Sequence, residues 1–327
     1  MSGRAHRARA AVTLRRAEGL LPYPSEITAD ALFPIYSVTK TLTAACVFRL
    51  AEEHLMSLDA PIGLYVSDVP LPKGVTVSRL LRHTSGLGEY GPLERYHAAV
   101  RASPSVPWTR SEFLEAVLPT GFLFRPGQGW AYSNIGYMLL VDAIENVTGT
   151  TFAQVIHRLI CQPLDLSKTV TLETLEDLTR CNPGFGTEVT PDASLVDVRG
   201  IYHPGWCAPR LIASTGSELT AVFHALFGGR LLSSRSLETM LDMALLPVPE
   251  GEEPTIAGGA GVYSDTASPY GRNYSHGGGG PGYELSVTTF ARLPDDTLTV
   301  AVFVDSSLQP GAAREIESNV MKAVFSL

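Results

Sequence analysis

The sequence predicts an α+β fold, in which an antiparallel sheet is flanked by helices and a mainly helical domain is inserted into the chain. A strand-like segment at residues 10–15 opens the chain, helical apolar spacing dominates the middle, and extended segments with a final helical segment close it. We expect residues 1–57 and 256–327 to form the sheet domain and residues 58–255 to form the helical domain. The functional site is expected between the two domains.

The predicted helices carry apolar residues three and four positions apart, a spacing typical of a helix with a buried face. The first runs from Ser37 to Leu55, and Pro34 shortly before it is consistent with a helix entrance. Four further helices are predicted in the middle of the chain, at residues 111–118, 135–147, 151–160 and 217–227.

The pattern changes after about residue 255. Residues 260–263, 283–292 and 297–304 are predicted to be extended. The last two are separated by Leu293-Pro294-Asp295-Asp296, which is typical of a hairpin. Helical spacing returns in the tail, residues 312–327, so we expect a final helix beside the sheet.

Composition excludes several classes of protein. The chain has 327 residues, 45% hydrophobic and 18% charged, as in an ordinary globular protein of about two domains. Its 33 acidic residues outnumber the 25 basic ones, which argues against a nucleic-acid partner. No apolar run approaches the ~18 residues of a membrane helix, so no membrane partner is expected.

The N-terminus and the cysteines predict a reducing compartment. The first 19 residues are Arg-rich but lack the apolar segment of a secretory signal, so we expect a cytoplasmic protein. The four cysteines are widely spaced and none forms a CxxC pair. We therefore expect free thiols and no zinc or redox motif.

The first chemical motif is Ser37-Val38-Thr39-Lys40. Of the four lysines, only Lys40 has a serine three positions earlier. Residues three apart share a helix face, so Lys40 can hydrogen-bond the Ser37 hydroxyl. A serine is a weak nucleophile without an adjacent base, and a lysine can serve if its pKa falls from about 10.4 towards 7. Alone, the pair also fits an ordinary surface helix.

The second motif is Tyr132-Ser133-Asn134, the single Tyr-x-Asn in the chain. A neighbouring ammonium can lower the pKa of a tyrosine, which would let Tyr132 move the proton of Ser37 to a leaving group. Asn134 would orient Lys40 or hold a substrate amide. The tripeptide alone also fits a helix cap.

The third motif is His276-Gly277-Gly278, followed by Gly279 and Gly280. Glycines let a substrate lie against a strand edge, and a backbone N–H there can complete an oxyanion hole. The run contains GxGxxG, but a strand follows and Pro281 interrupts it, so a dinucleotide site is rejected. His203-Pro204-Gly205 is a competing His-x-Gly, set aside because its proline cannot donate to a strand ladder.

Together, the three motifs resemble the serine β-lactamase and penicillin-binding protein superfamily. Tyr-x-Asn in second place indicates the branch of class C β-lactamases, D-Ala-D-Ala carboxypeptidases and family VIII esterases. Residues 80–87 (LLRHTSGL), 126–139 and 212–215 are similar to other segments of that branch. The resemblance covers residues 33 to 295 and implies a β-lactamase/transpeptidase-like fold.

The resemblance implies a role for each motif residue. Ser37 would be the acylated nucleophile, Lys40 its proton partner, and Tyr132 the general base. Asn134 would position Lys40 and the substrate, and His276 would replace the lysine of many relatives. The backbone N–H groups of Ser37 and Gly279 would form the oxyanion hole, and the resemblance implies no metal or organic cofactor. Further substrate contacts are expected from a few residues around the pocket: Gly277, Gly278, Tyr202, Trp206 and Arg210.

The sequence departs from the family at its start, because only 36 residues precede Ser37 where relatives place a further helix and strand. The sheet would then have an unprotected edge, and dimerisation through that face is a hypothesis.

The expected function is hydrolysis of a small ester or amide through an acyl-Ser37 intermediate. Esterase-like activity is favoured because His276 stands where a charged lysine would hold a substrate carboxylate. Three alternatives stay open: acyl transfer to an alcohol or amine, β-lactamase or D-amino-acid peptidase activity, and a catalytically silent binding protein.

Overall fold

The fold is built around a seven-stranded sheet. A computed structural model describes residues 9–15, 30–293 and 296–325 of the chain. In chain order the strands are β1 (Arg9–Arg15), β2 (Phe33–Pro34), β3 (Val170–Leu172), β4 (Phe185–Gly186), β5 (Val196–Asp197), β6 (Leu211–Ser214), β7 (Ala244–Leu245), β8 (Ile256–Gly258), β9 (Tyr263–Asp265), β10 (Asn273–Gly280), β11 (Tyr283–Leu293) and β12 (Asp296–Val304).

The large sheet has the spatial order β1-β12-β11-β10-β9-β8-β7. Neighbours from β7 to β12 are antiparallel, and β1 joins the other side of β12 in parallel. A three-stranded sheet, β2-β6-β3, and a two-stranded sheet, β4-β5, lie elsewhere in the fold. The short segment before Ser37 predicted a sheet with an unprotected edge, and β1 occupies the position beside β12.

A helix lies in each segment where the apolar spacing predicted one. The helices are α1 (Thr39–Glu52), α2 (Val77–Leu81), α3 (Glu94–Ala102), α4 (Arg110–Val117), α5 (Asn134–Thr148), α6 (Phe152–Ile156), α7 (Leu175–Thr179), α8 (Gly216–Phe227), α9 (Ser234–Met240) and α10 (Ala312–Phe325). Four short helices among them, α2, α3, α7 and α9, were not predicted.

Two predictions of element bounds need correction. A 3₁₀ turn, Tyr36–Val38, precedes α1, so Ser37 lies just before the helix. Residues 260–262 connect β8 to β9 and are not strand.

Helix α1 lies in the core, with eleven of its fourteen residues buried. A helix that is apolar on nearly all sides is typical of a protein core, and α1 packs on α5 and α6. Ala44 and Ala45 are fully buried and present only methyl groups, which lets neighbouring segments approach closely. The helix that begins beside Ser37 is therefore held rigidly.

Strand β12 separates two hydrophobic cores. Val300 and Val302 pack towards α10, whereas Ala301 and Phe303 face the main core. This alternation follows from the two-residue period of a strand. Helix α8 packs on β11 and β12 as well, so the sheet is covered on both faces.

Two elements from the predicted helical region pack with the sheet. Helix α8 contacts β12, and β7 pairs with β8 at the end of the large sheet. The boundary at residue 255 stays a prediction, and we propose that α8 belongs to the sheet domain. Over the three described ranges, no helix is long and apolar enough to cross a membrane.

Candidate active site

The nucleophile turn connects β2 to α1. Strand β2 pairs with β6, and Ile35 N–H continues this pairing with a 2.8 Å hydrogen bond to Ile212 O. The chain then turns at residues 36–38, closed by a 2.9 Å bond from Val38 N–H to Ile35 O. Ser37 is half-buried between the buried Tyr36 and Val38. The turn thus presents one hydroxyl to the surface of an otherwise buried segment.

Lys40 lies in the first turn of α1 with 2% of its surface exposed. Its Nζ is 3.3 Å from Ser37 Oγ and 4.9 Å from the centre of the Tyr132 ring. Burial lowers the pKa of Lys40 to about 8, and the negative charge of Glu89 partly opposes this effect. About a tenth of the lysine is therefore neutral at pH 7, and this fraction can accept a proton from Ser37.

Tyr132 approaches Ser37 from the segment before α5. Its hydroxyl donates a 2.8 Å hydrogen bond to Ser37 Oγ, and its ring stacks on His83 at 4.5 Å. Burial raises the pKa of Tyr132, although the hydrogen bond with Ser37 acts in the opposite direction. The expectation of a lowered pKa was wrong, because desolvation of the phenol outweighs this hydrogen bond. Tyr132 is therefore a proton donor in the free protein.

Asn134 begins α5 and contacts a residue that the motifs did not reveal, Glu89. Its Nδ2 donates a 3.0 Å bond to Glu89 Oε1, and its backbone N–H donates to Glu89 Oε2. The same carboxylate accepts from the N–H groups of Tyr90 and Gly91 at 2.9 and 3.0 Å. Asn134 therefore bonds Glu89, where an orienting contact to Lys40 had been expected. Glu89 lies two residues after the 80–87 segment, and this proximity was the one available signal.

The glycine-rich strand β10 lies beside the nucleophile. It pairs with β11 along its whole length but with β9 only between Ser275 and Tyr263. A Cβ at Gly278 would lie 2.6 Å from Ile35 O and 3.2 Å from Ser37 N, so only glycine fits at this approach. The edge of β10 beyond Ser275 is thus left for a substrate, next to Ser37 N–H.

His276 is buried on this strand with 3% of its surface exposed. Its Nδ1 lies 2.6 Å from Gly277 O, and since a carbonyl only accepts, Nδ1 carries the proton. Burial lowers the pKa of His276 to about 3, with further lowering by Lys40 and Arg314, so the ring is neutral. Arg314 on α10 lies near Gly277 and adds a positive charge to this wall of the site. No sequence motif indicated Arg314, because its position depends on how α10 packs.

These residues line one cavity of about 780 Å³. Most of the predicted site residues line it, namely Ser37, Lys40, Tyr132, Asn134, Tyr202, Arg210 and His276 to Gly279. Trp206 does not line the cavity, because its side chain is buried, with 1% of its surface exposed. Its ring packs against Trp108 and Tyr96, and its indole N–H donates a hydrogen bond to Pro104 O. Two carboxylates, Glu188 and Glu284, also reach the cavity.

The fold and the site agree with one class of protein. The sequence matches the family model described as Beta-lactamase over residues 9–324, and the chain belongs to that family. The resemblance deduced from the three motifs is confirmed, and so is the predicted fold class.

Three relatives illustrate the similarity. Penicillin-binding protein 4* of Bacillus subtilis (strain 168) is 27% identical over 280 residues, which cover 81% of this chain and 59% of that protein. Esterase EstB of Burkholderia gladioli is 32% identical over 169 residues, 47% of this chain and 43% of that protein. The crystal structure of a D-stereospecific amidohydrolase from Streptomyces sp. is 25% identical with a TM-score of 0.73, covering 85% of this chain and 83% of that one.

These relatives place the chain in a superfamily of serine hydrolases. The chain spans less than two thirds of the length of the two curated relatives.

Proposed function

We propose that the protein hydrolyses a small ester or amide through an acyl-enzyme formed at Ser37. The observation that carries this proposal is the position of Ser37 Oγ, 3.3 Å from Lys40 Nζ and 2.8 Å from the Tyr132 hydroxyl, in a large cavity. A nucleophile within hydrogen-bond reach of both a base and an acid is the arrangement that covalent catalysis requires.

In acylation, the neutral form of Lys40 accepts the Ser37 proton while Oγ forms a bond to the substrate carbonyl carbon. The N–H groups of Ser37 and Gly279 stabilise the oxyanion. The bond to the leaving group then breaks, and the leaving oxygen or nitrogen takes the proton of Tyr132, which regains one from Lys40. Water repeats the sequence on the acyl-enzyme, releasing the acid and restoring Ser37.

Esterase-like activity is the form of this reaction that we favour. The neutral His276 supports it, because this ring does not itself hold a substrate carboxylate, and Arg314 is left to supply positive charge on that wall. The experiment is hydrolysis of a short-chain p-nitrophenyl ester beside nitrocefin. Wild type should turn over the ester and acquire the acyl mass at Ser37, and Ser37→Ala and Lys40→Ala should lose turnover.

The matched control is Lys73→Ala, which removes an exposed lysine and should leave the rate unchanged. Wild type that neither turns over an ester or β-lactam nor gains mass from an acylating probe would contradict the proposal and favour a binding protein. A rate that increases with an added alcohol or amine, with a new ester or amide as product, would favour acyl transfer.

A second candidate function is hydrolysis of a D-amino acid amide or peptide. The cavity carboxylates Glu188 and Glu284 favour it, since they suit a substrate ammonium group. The relative from Streptomyces is named a D-stereospecific amidohydrolase. Release of ammonia from D-phenylalaninamide, with the L isomer as control, separates this function from the esterase.

A further inference from the structure

Tyr36 has an unusual backbone conformation for its residue type. Its φ is +37°, in a region that side-chain-bearing residues rarely adopt. Such a conformation is strained and persists only when surrounding contacts enforce it. Because Tyr36 directly precedes the nucleophile, the contacts that enforce its conformation also fix the direction of Ser37.

The side chain of Tyr36 supplies those contacts. It is 6% exposed, and its hydroxyl donates a 2.7 Å hydrogen bond to Pro281 O. The ring occupies the space beside Gly280, where a Cβ would overlap it. Its centre lies 6.4 Å from the ring of Tyr283. Burial raises the pKa of Tyr36, so the hydroxyl keeps the proton that it donates.

These contacts join two segments that are distant in sequence. The backbone of Tyr36 continues into Ser37, and Pro281 directly follows β10, which contains Gly279. The two N–H groups of the proposed oxyanion hole therefore lie on segments connected by one side chain. A shift of about 1 Å in such a donor can lower a rate about 100-fold, so this connection bears directly on catalysis.

We propose that Tyr36 is a positioning residue that ties the nucleophile turn to the end of β10 and so fixes the spacing of the Ser37 and Gly279 N–H groups. This inference rests on the proposed acyl-enzyme function. Tyr36 acts through the backbone of Ser37 and through β10, and it takes no proton during the reaction.

Two variants test the proposal. Tyr36→Phe keeps the ring and removes the bond to Pro281, and Tyr36→Gly adopts a positive φ without strain but removes the whole side chain. Both should lower kcat and kcat/KM for a p-nitrophenyl ester together, by about 10-fold for Phe and about 100-fold for Gly, with KM within about threefold of wild type. The pH at half-maximal kcat/KM should stay unchanged, because Lys40 is untouched.

The control is Tyr65→Phe, which removes another tyrosine hydroxyl bond, to Ser57 N–H, outside the cavity. It should keep the wild-type kcat. Thermal denaturation of every variant separates loss of folding from loss of positioning. A Tyr36→Phe variant that folds and keeps kcat within twofold would overturn the proposal, as would a Tyr36→Gly variant with wild-type kcat, since residue 36 would then matter only for its backbone. Wild type without an acyl-enzyme would overturn the proposed function, and the role of Tyr36 with it.

Discussion

Lys40 shows how burial prepares a single residue for proton transfer. Its ammonium has lost most of its hydration, and the pKa falls to about 8. Since only the neutral amine can accept the Ser37 proton, kcat/KM for a neutral ester should increase about tenfold per pH unit below pH 8 and level off above it. The measurement is a pH–rate profile with Ser37→Ala as the blank. A profile that is flat from pH 6 to 9 would exclude Lys40 as the base.

Glu89 should control the position of that pH profile. Its carboxylate holds Asn134 and raises the pKa of Lys40 through its charge. Glu89→Gln removes the charge, so the pH at half-maximal kcat/KM should move to a lower value. It also replaces one acceptor oxygen by an NH2 group, so one of the two bonds from Asn134 is lost and the plateau should fall. Glu94→Gln is a matched control, because Glu94 is paired with Arg101 on an exposed helix. Equal midpoints in both variants would show that Glu89 acts only structurally.

His276 should determine whether the cavity accepts anionic substrates. The ring is neutral at every working pH because burial lowers its pKa to about 3. His276→Lys introduces a cation at the strand edge, and we expect the ratio of kcat/KM for nitrocefin to that for a p-nitrophenyl ester to increase about tenfold or more. His276→Gln, which adds no charge, is the control. A ratio that stays constant in the lysine variant would assign anion recognition to another group.

Helix α5 shows how one element supports the site from its first turn. Ser133 accepts from Gly136 N–H at 3.1 Å as the N-cap and donates to Gly88 O at 2.9 Å, while the residues on either side of it, Tyr132 and Asn134, point into the cavity. The cap thereby fixes the chain between the two motif residues. Sequence and structure agree here, since a serine before an apolar helical run is a helix start signal.

Removing this cap should affect both stability and activity. Ser133→Ala should lower the free energy of unfolding by about 1–2 kcal/mol and kcat by about tenfold, because Tyr132 is no longer held against Ser37. Thr109→Ala removes the N-cap of α4, which carries no cavity residue, and should cost about 1 kcal/mol without changing kcat. Urea denaturation and ester kinetics measure the two effects. Equal kcat values for the two variants would show that the cap does not position Tyr132.

Features of the fold and site that depend on local spacing were predictable from the sequence. Ser37 and Lys40 are three residues apart, so the 3₁₀ turn that leads into α1 brings them together. The raised pKa of Tyr132 was not predictable, because it is the sum of desolvation by several elements. Arg314 likewise reaches the cavity only through the packing of α10. Trp206 is an aromatic residue of the kind that often lines a pocket, but its indole N–H donates a hydrogen bond to Pro104 O and its ring is buried.

The arrangement of the large sheet leads to a prediction about association. Strand β1 pairs in parallel with β12 from Arg9–Leu298 to Arg15–Val304, so it covers an edge that would otherwise present unpaired backbone groups. A variant that lacks residues 1–15 should have a lower melting temperature and should self-associate as its concentration increases. The control lacks only residues 1–8 and keeps β1.

Light scattering between about 1 and 100 μM measures this association, a range that spans weak edge-to-edge pairing. Because β1 covers the edge of β12, the full chain and the control should associate less than the variant without residues 1–15, and monomers in both would count against the homodimer hypothesis. A full-length dimer that persists at 1 μM would support dimerisation through another face. If the variant without residues 1–15 is monomeric and equally stable, pairing with β1 contributes little to stability or to protection of this edge.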